Sequence, residues 1–172
     1  LHAIPFLTDR GIDPLVAAGM LSLMVLSGIP ARTGGGWLAD RVSKGYMRFI
    51  MGGAYLLQAV GTASFLLHPT LVMIYVWFIL YGLGSGAGIG ITTPMKGRYF
   101  GRKAFGSIDG LSTMLTGPAA MVAPIYFGWV YDTTGSYISA YTLAAIALGV
   151  SGILAAFILP PKPPVNVNGI SA

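Results

Sequence analysis

Five apolar stretches of about 20 residues or more follow one another with only short gaps, and no other feature constrains the chain as much. A helix needs about 20 consecutive apolar residues to cross the hydrocarbon core of a bilayer. The stretches run over about 14–36, 47–67, 69–92, 105–131 and 137–159. Asp13 is placed to cap the first and Pro14 to open it, since an N-cap oxygen meets free N–H groups and a proline at the first helical position loses no hydrogen bond. The third opens on Pro69, and Pro160 with Pro161 closes the fifth. Residues 1–7 read as the end of a further span whose body lies upstream. The expected fold is an all-α membrane protein: five full transmembrane helices plus the end of a sixth, over 1–159. A flexible cytoplasmic tail follows over 160–172, where four prolines stand among Gly, Asn and Ser.

Composition excludes the main soluble classes. Only 9% of residues are charged, against roughly 25% in an ordinary soluble domain, and the acids are five Asp with no Glu. A net charge of +5 in isolation would suit a nucleic-acid binder, but the basic residues cluster in the gaps between apolar runs. No nucleic-acid partner is expected. Cysteine is absent, so disulfides and thiolate metal sites are impossible. The histidines, His2 and His68, are isolated and give no metal site. The opening residues show no charged region before an apolar core, so no signal peptide is expected.

The gaps fix sidedness. Arg41, Lys44 and Arg48 lie between the first two spans, Lys96, Arg98, Arg102 and Lys103 between the third and fourth, and Lys162 in the tail. The opposite side holds His68, Asp132 and the Asp9–Arg10–Asp13 segment. An excess of Lys and Arg marks the cytoplasmic side, so the chain is expected in the cell membrane with its C-terminus in the cytoplasm. The alternation also checks the number of spans.

The segment Gly36-Trp37-Leu38-Ala39-Asp40-Arg41-Val42-Ser43-Lys44-Gly45 resembles the signature loop of the major facilitator superfamily. In these transporters one copy joins the second and third helices and a degenerate copy joins the eighth and ninth. The surroundings are similar to the second copy. His2-Ala3-Ile4-Pro5-Phe6-Leu7-Thr8-Asp9-Arg10-Gly11-Ile12 resembles the end of a seventh helix. Tyr99-Phe100-Gly101-Arg102-Lys103-Ala104-Phe105-Gly106 resembles the tenth-to-eleventh loop, and Gly128-Trp129-Val130-Tyr131-Asp132-Thr133-Thr134-Gly135-Ser136-Tyr137 the eleventh-to-twelfth junction. Together they are similar to the monocarboxylate-transporter-like and oxalate/formate-antiporter-like branch. The resemblance implies the C-terminal half of a twelve-helix carrier, with the N-terminal half missing here as its partner, a lipid membrane around it, and a small-molecule substrate.

Arg32 is the sharpest site candidate. It lies 18 residues into the first span, roughly 27 Å along a helix. A charge inside a bilayer costs at least about 2.5–3.5 kcal/mol on insertion scales, so it faces a cavity or a partner. Guanidinium presents a planar fork matched to carboxylate. In the resembled branch an Arg eight residues before the loop's acid binds substrate carboxylate, and Arg32 stands eight before Asp40. The branch often carries an Asp one turn earlier, where this chain has Gly28. The alternative is an Arg32 that snorkels into headgroups.

The resemblance assigns Asp40 and Arg41 to a cytoplasmic gate, in which the carboxylate meets a helix end of the other half. The alternative is a solvated Asp within its own basic loop. Gly82, Gly86 and Gly90 form a small-residue stripe, with Gly84 and Gly88 near the opposite face. Such faces admit close packing and also make a helix easy to bend during gating; both readings stand. Pro118 and Pro124 are expected kinks. Gln58, Ser112, Thr113 and Thr116 either line a cavity or satisfy neighbouring helices, and Asp109 stands near the cytoplasmic start of the fourth span, where the helix dipole favours it; the alternative is a part in a proton relay.

Gly34-Gly35-Gly36-Trp37-Leu38-Ala39 formally fits a dinucleotide pattern, but it ends a membrane helix and follows no strand. No catalytic set assembles from these residues, and neither enzyme activity nor a cofactor is implied. The leading reading is a secondary transporter of a monocarboxylate or other organic anion working by alternating access. The alternatives are a carrier of a neutral solute or drug, with Arg32 structural, and a non-transporting sensor or scaffold of the same fold.

Overall fold

The computed structural model describes residues 3–161, so His2, Lys162 and most of the expected tail lie outside the described residues. Among those described, the regular elements are all helical: α1 (Ala3–Thr8), α2 (Pro14–Arg41), a 3-10 turn (Lys44–Tyr46), α3 (Met47–Leu67), α4 (Leu71–Thr134) and α5 (Ile138–Ala156). α2, α3 with its preceding turn, α4 and α5 are each long and apolar enough to cross a membrane.

α4 has 64 residues, about 96 Å if straight, far beyond the roughly 30 Å hydrocarbon core. It is not straight. Gly101 has φ 77° and ψ 170°, a conformation open in practice only to glycine, and the chain reverses there. Lys96 Nζ stands 2.9 Å from Asp109 Oδ1, whereas 13 residues of straight helix would hold them about 20 Å apart. At the far end Phe127 and Tyr131 pack on the cluster that contains Trp77 and Phe78. α4 is therefore a hairpin of two antiparallel arms, 71–100 and 102–134. With α2, α3 and α5 these make the five spanning segments.

Several expected boundaries move. The signature segment is not a loop: α2 continues helically through Arg41, because Ala39 is buried against Met47, Ile91 and Met95 and a basic residue suits a helix C-terminus. The third span begins at Leu71, two residues after Pro69, with Thr70 Oγ1 accepting from Met73 N at 3.3 Å. It then runs helically past Pro94 to the single turn residue Gly101, so Lys96 and Arg98 belong to a helix and not to a connection. Pro118 and Pro124 also lie within α4 without non-helical backbone. The start of α2 is as expected: Asp13 Oδ1 accepts from Leu15 N at 2.8 Å and Pro14 follows.

The first arm of α4 is the centre of the bundle. α2 packs on one side of it and α3 on the other, and α3 in turn carries α5. The α2 seam is built of glycines: a Cβ on Gly82, Gly86 or Gly90 would strike the backbone carbonyl of Met24, Gly28 or Arg32 respectively. On the opposite face Gly84 sits against the Ala54 carbonyl and the Gln58 side chain, 2.5 Å and 2.7 Å from where its Cβ would stand.

An aromatic cluster closes one end. Phe6 meets Phe65, Trp77, Tyr137 and Tyr141 edge-on, with ring centroids 5.1–6.4 Å apart, and Arg10 lies over the Phe6 ring at 4.6 Å. Phe65 stacks on Trp77 at 4.7 Å. Edge-to-face and offset pairs of this kind add about 0.5–1.5 kcal/mol each beyond area burial. The opposite end carries the basic residues of the two turns.

Candidate functional site

Arg32 sits on α2, nine residues before its C-terminal residue Arg41. Its side chain is exposed, and it has no hydrogen bond or ion pair among the described residues. Its own carbonyl packs on Gly90, so the helix is held close to the first arm while the guanidinium is left free. Gly28, one turn earlier, has a packing cause. A Cβ there would stand 3.2 Å from the Gly82 carbonyl oxygen, so an acidic side chain at this position would crowd the α2–α4 seam. Among the described residues no carboxylate pairs with Arg32.

At the basic end, Asp40 is exposed and has no partner among the described residues. Arg41 folds back over Trp37, 3.8 Å from the ring centroid. The polar work here falls to residues outside the signature segment. Arg98 Nη1 donates to the carbonyls of Ala39 at 2.5 Å and Val42 at 2.8 Å, which the end of α2 would otherwise leave unpaired. Tyr99 Oη donates to the Lys44 carbonyl at 3.0 Å. The first arm of α4 thus pins the turn between α2 and α3.

An open pocket of about 320 Å³ with a mixed polar and apolar lining lies between α3 and the two arms of α4. The Lys96–Asp109 ion pair lines it together with Tyr55, Gln58, Ser85, Gly88, Ile89, Thr92 and Thr93. Gln58 is buried; its Nε2 donates to the Ala54 carbonyl at 3.2 Å, and Thr92 Oγ1 donates to the Gly88 carbonyl at 2.6 Å. A larger, mostly apolar groove of about 570 Å³ lies toward the aromatic end, between α2, α5 and both arms of α4. Near that end, burial and then the carboxylates of Asp9 and Asp132 push the Tyr137 hydroxyl above its ordinary pKa, which keeps it a neutral phenol.

Residues 2–172 match the Major Facilitator Superfamily. The chain belongs to this family. Among curated major facilitator proteins it is 29% identical over 147 residues to an uncharacterized transporter of Bacillus subtilis, covering 85% of this chain and 36% of that one. It is 29% identical over 155 residues to monocarboxylate transporter 13 of Rattus norvegicus, covering 90% and 36%. It is 26% identical over 161 residues to a protein of Cupriavidus necator named "Probable sulfoacetate transporter", covering 88% and 36%. The chain spans about a third of the length of these relatives.

Set in the major facilitator family, the site residues separate into three groups. Gly82, Gly86 and Gly90 come together with Arg32 and Gly28 along one seam. Asp40 and Arg41 stand at the end of the same helix, apart from that seam. Lys96, Asp109 and Arg98 form the third group. Sequence reasoning placed Lys96 and Arg98 in a basic loop and did not foresee their contacts. The available signal was Asp109 itself, an acid inside an apolar span, which needs a cation within reach.

Proposed function

We propose that this chain is the C-terminal half of a secondary transporter that moves a small organic anion, a monocarboxylate or a close relative, by alternating access. Arg32 carries the reading: a guanidinium within an apolar helix, with no ion pair to a carboxylate among the described residues, is left to meet a carboxylate from solution. Names among the relatives support the cargo class, since monocarboxylate and sulfoacetate are both small organic anions. In this proposal a second bundle, contributed by the rest of the polypeptide, supplies the other wall of the substrate cavity. Asp40 and Arg41 then face that bundle and close the cytoplasmic side, and the glycine seam lets α2 and the first arm of α4 shift against each other as the halves rock. The excess of basic residues at the turns orients the chain in the cell membrane with its C-terminus in the cytoplasm.

Uptake of radiolabelled lactate by the complete carrier in proteoliposomes tests this. Arg32→Gln is expected to abolish uptake, and Arg32→Lys to weaken affinity at least tenfold, because an ammonium cannot reproduce the bidentate fork. Wild-type affinity in Arg32→Lys would remove Arg32 from the substrate site. It would then favour the neutral-solute reading, in which Arg32 reaches toward headgroups from its position nine residues from the helix end.

A further inference from the structure

We infer that the elbow between α2 and α3, residues 42–49, is a seat for the phosphate of an anionic phospholipid, held by Lys44 and Arg48 and flanked by the rings of Tyr46 and Phe49. The inference is independent of the cargo assigned to Arg32 and needs only that the chain spans a bilayer.

The elbow is fixed from its inner side. Arg98 donates to the Val42 carbonyl at 2.8 Å and Tyr99 to the Lys44 carbonyl at 3.0 Å, while Met47 is buried with Ala39, Ile91 and Met95. These contacts use none of the side-chain donors of Lys44 and Arg48. Lys44 is exposed and Arg48 half-buried, and neither pairs with a carboxylate, since the only salt bridge among the described residues joins Lys96 to Asp109. Arg48 Nε is buried without an acceptor. A buried donor left unpaired is costly, so this guanidinium gains by turning to an acceptor outside the protein.

The rings beside these cations set the depth. Tyr46 is 64% exposed and Phe49 49%, with their ring centroids 6.2 Å apart, and the Arg48 guanidinium lies 4.7 Å from the Phe49 centroid. The end of α2 repeats the arrangement, with Trp37 exposed under Arg41. Exposed aromatic rings at the ends of membrane spans stand at headgroup level, with their apolar bodies toward the acyl chains. A soluble phosphate would use the cations and not the rings. A phospholipid uses both, because its phosphate and its acyl chains meet at this depth.

Charge selects the headgroup. Between residues 37 and 49 the chain carries Arg41, Lys44 and Arg48 against Asp40 alone. A zwitterionic headgroup brings a cation that this surface repels, and an anionic one brings none. Each Lys or Arg beside an anionic membrane surface favours it about fivefold, so Lys44 and Arg48 together are worth about 25-fold. The turn at Gly101 offers a charge-matched comparison. Arg102 and Lys103 are exposed there, and neither lies over a ring among the described residues. They attract the same membrane surface and form no seat.

The test places the full-length protein in nanodiscs of equal parts phosphatidylcholine and phosphatidylglycerol. Native mass spectrometry then reads the ratio of the two lipids that leave the disc on the protein. Wild type is expected to carry phosphatidylglycerol with a preference of about tenfold or more. Lys44→Gln combined with Arg48→Gln should bring the ratio to within about twofold of even, whereas Arg102→Gln combined with Lys103→Gln should keep most of the preference. Arg48→Lys should fall between, because an ammonium keeps the charge and loses the planar fork. Phe49→Leu leaves every charge in place and should lower the preference about threefold through the lost ring face. It decides the matter if the double charge variant does not fold, and an unchanged ratio in Phe49→Leu would then overturn the seat. Equal losses from the two charge pairs would also overturn it, leaving a diffuse attraction between basic turns and membrane. Displacement of the lipid by soluble glycerol phosphate would reassign the cations to a free phosphate. Binding of a soluble acidic peptide through Lys44 and Arg48, with no lipid preference, would reassign them to a protein partner.

Discussion

The two arms of α4 are both apolar and of nearly equal length, yet they lie in the bundle in opposite ways. The first, 71–100, is sandwiched between α2 and α3, and Ile74, Trp77, Phe78, Gly82, Gly84, Gly86, Ile91 and Met95 are all buried. The second, 102–134, buries Val130 near its end and leaves Met114, Leu115, Met121 and Ile125 at least 70% exposed. Hydropathy does not distinguish them, because in a membrane lipid is as apolar as a neighbouring helix. Small residues do: helices associate there through close backbone approach. The first arm sets five glycines at alternate positions from 82 to 90, and both of its faces approach other backbones. The glycines of the second arm at 106, 110 and 117 meet nothing within 4 Å. The difference between the arms therefore lies in what each glycine touches.

Replacing one seam glycine should break this contrast most sharply. Gly86→Leu drives a side chain into the Gly28 carbonyl, which cannot move without displacing α2. Overpacking typically costs about 1–3 kcal/mol, and a rigid backbone neighbour puts this case at about 3 kcal/mol or beyond. A large drop in thermal midpoint in detergent, with loss of monodisperse protein, is the expected outcome. A midpoint within a degree of wild type would mean that the seam is loose.

The next effect is smaller and sits at the hairpin tip. Arg98 and Arg102 carry the same charge on either side of Gly101, but Arg98 donates to two carbonyls and Arg102 is exposed. Hydrogen bonds from a charged group are worth about 1.5–3 kcal/mol net, so Arg98→Ala should destabilise by about that amount. Faster hydrogen exchange over residues 42–46 is the local sign. Arg102→Ala, a surface change, should stay within about 0.5 kcal/mol. Equal effects from the two would place the arms in similar surroundings and undo the comparison.

What the sequence made legible follows the same division. Residues that act through chain-local physics were readable: Asp13 and Pro14 at the start of α2, the extent of α3, the alternation of basic turns, and the family resemblance through the Asp40–Arg41 segment. Residues that act across the fold were not. Lys96 and Arg98 look like loop cations because a basic cluster beside Gly101 predicts a connection, and only the reversal at that one glycine brings Lys96 to Asp109 and keeps both arms helical up to it. Gly28 looked like a departure from a pattern, and its reason, the carbonyl of Gly82, lies 54 residues away. Arg32 stands out in the sequence by its depth in an apolar run, and the fold adds that no carboxylate among the described residues pairs with it.

The smallest effect has the opposite sign and tests the second arm directly. Gly110 lies inside a helix and a Cβ there meets nothing within 4 Å. Glycine in a helix interior is less favourable than alanine, partly because the unfolded chain loses more freedom, and a compatible Gly→Ala change stabilises by about 0.4–1 kcal/mol. Gly110→Ala should therefore raise the thermal midpoint slightly in this chain. In a longer polypeptide of the kind proposed above, the same substitution reports on what covers this arm. If another segment packs on it as closely as α2 packs on the first arm, the gain turns into a loss. If lipid covers it, the gain persists. A gain in both settings would show that the exposed face of 102–134 is a lipid-facing surface, and a loss only in the longer polypeptide would show that it is a helix–helix seam.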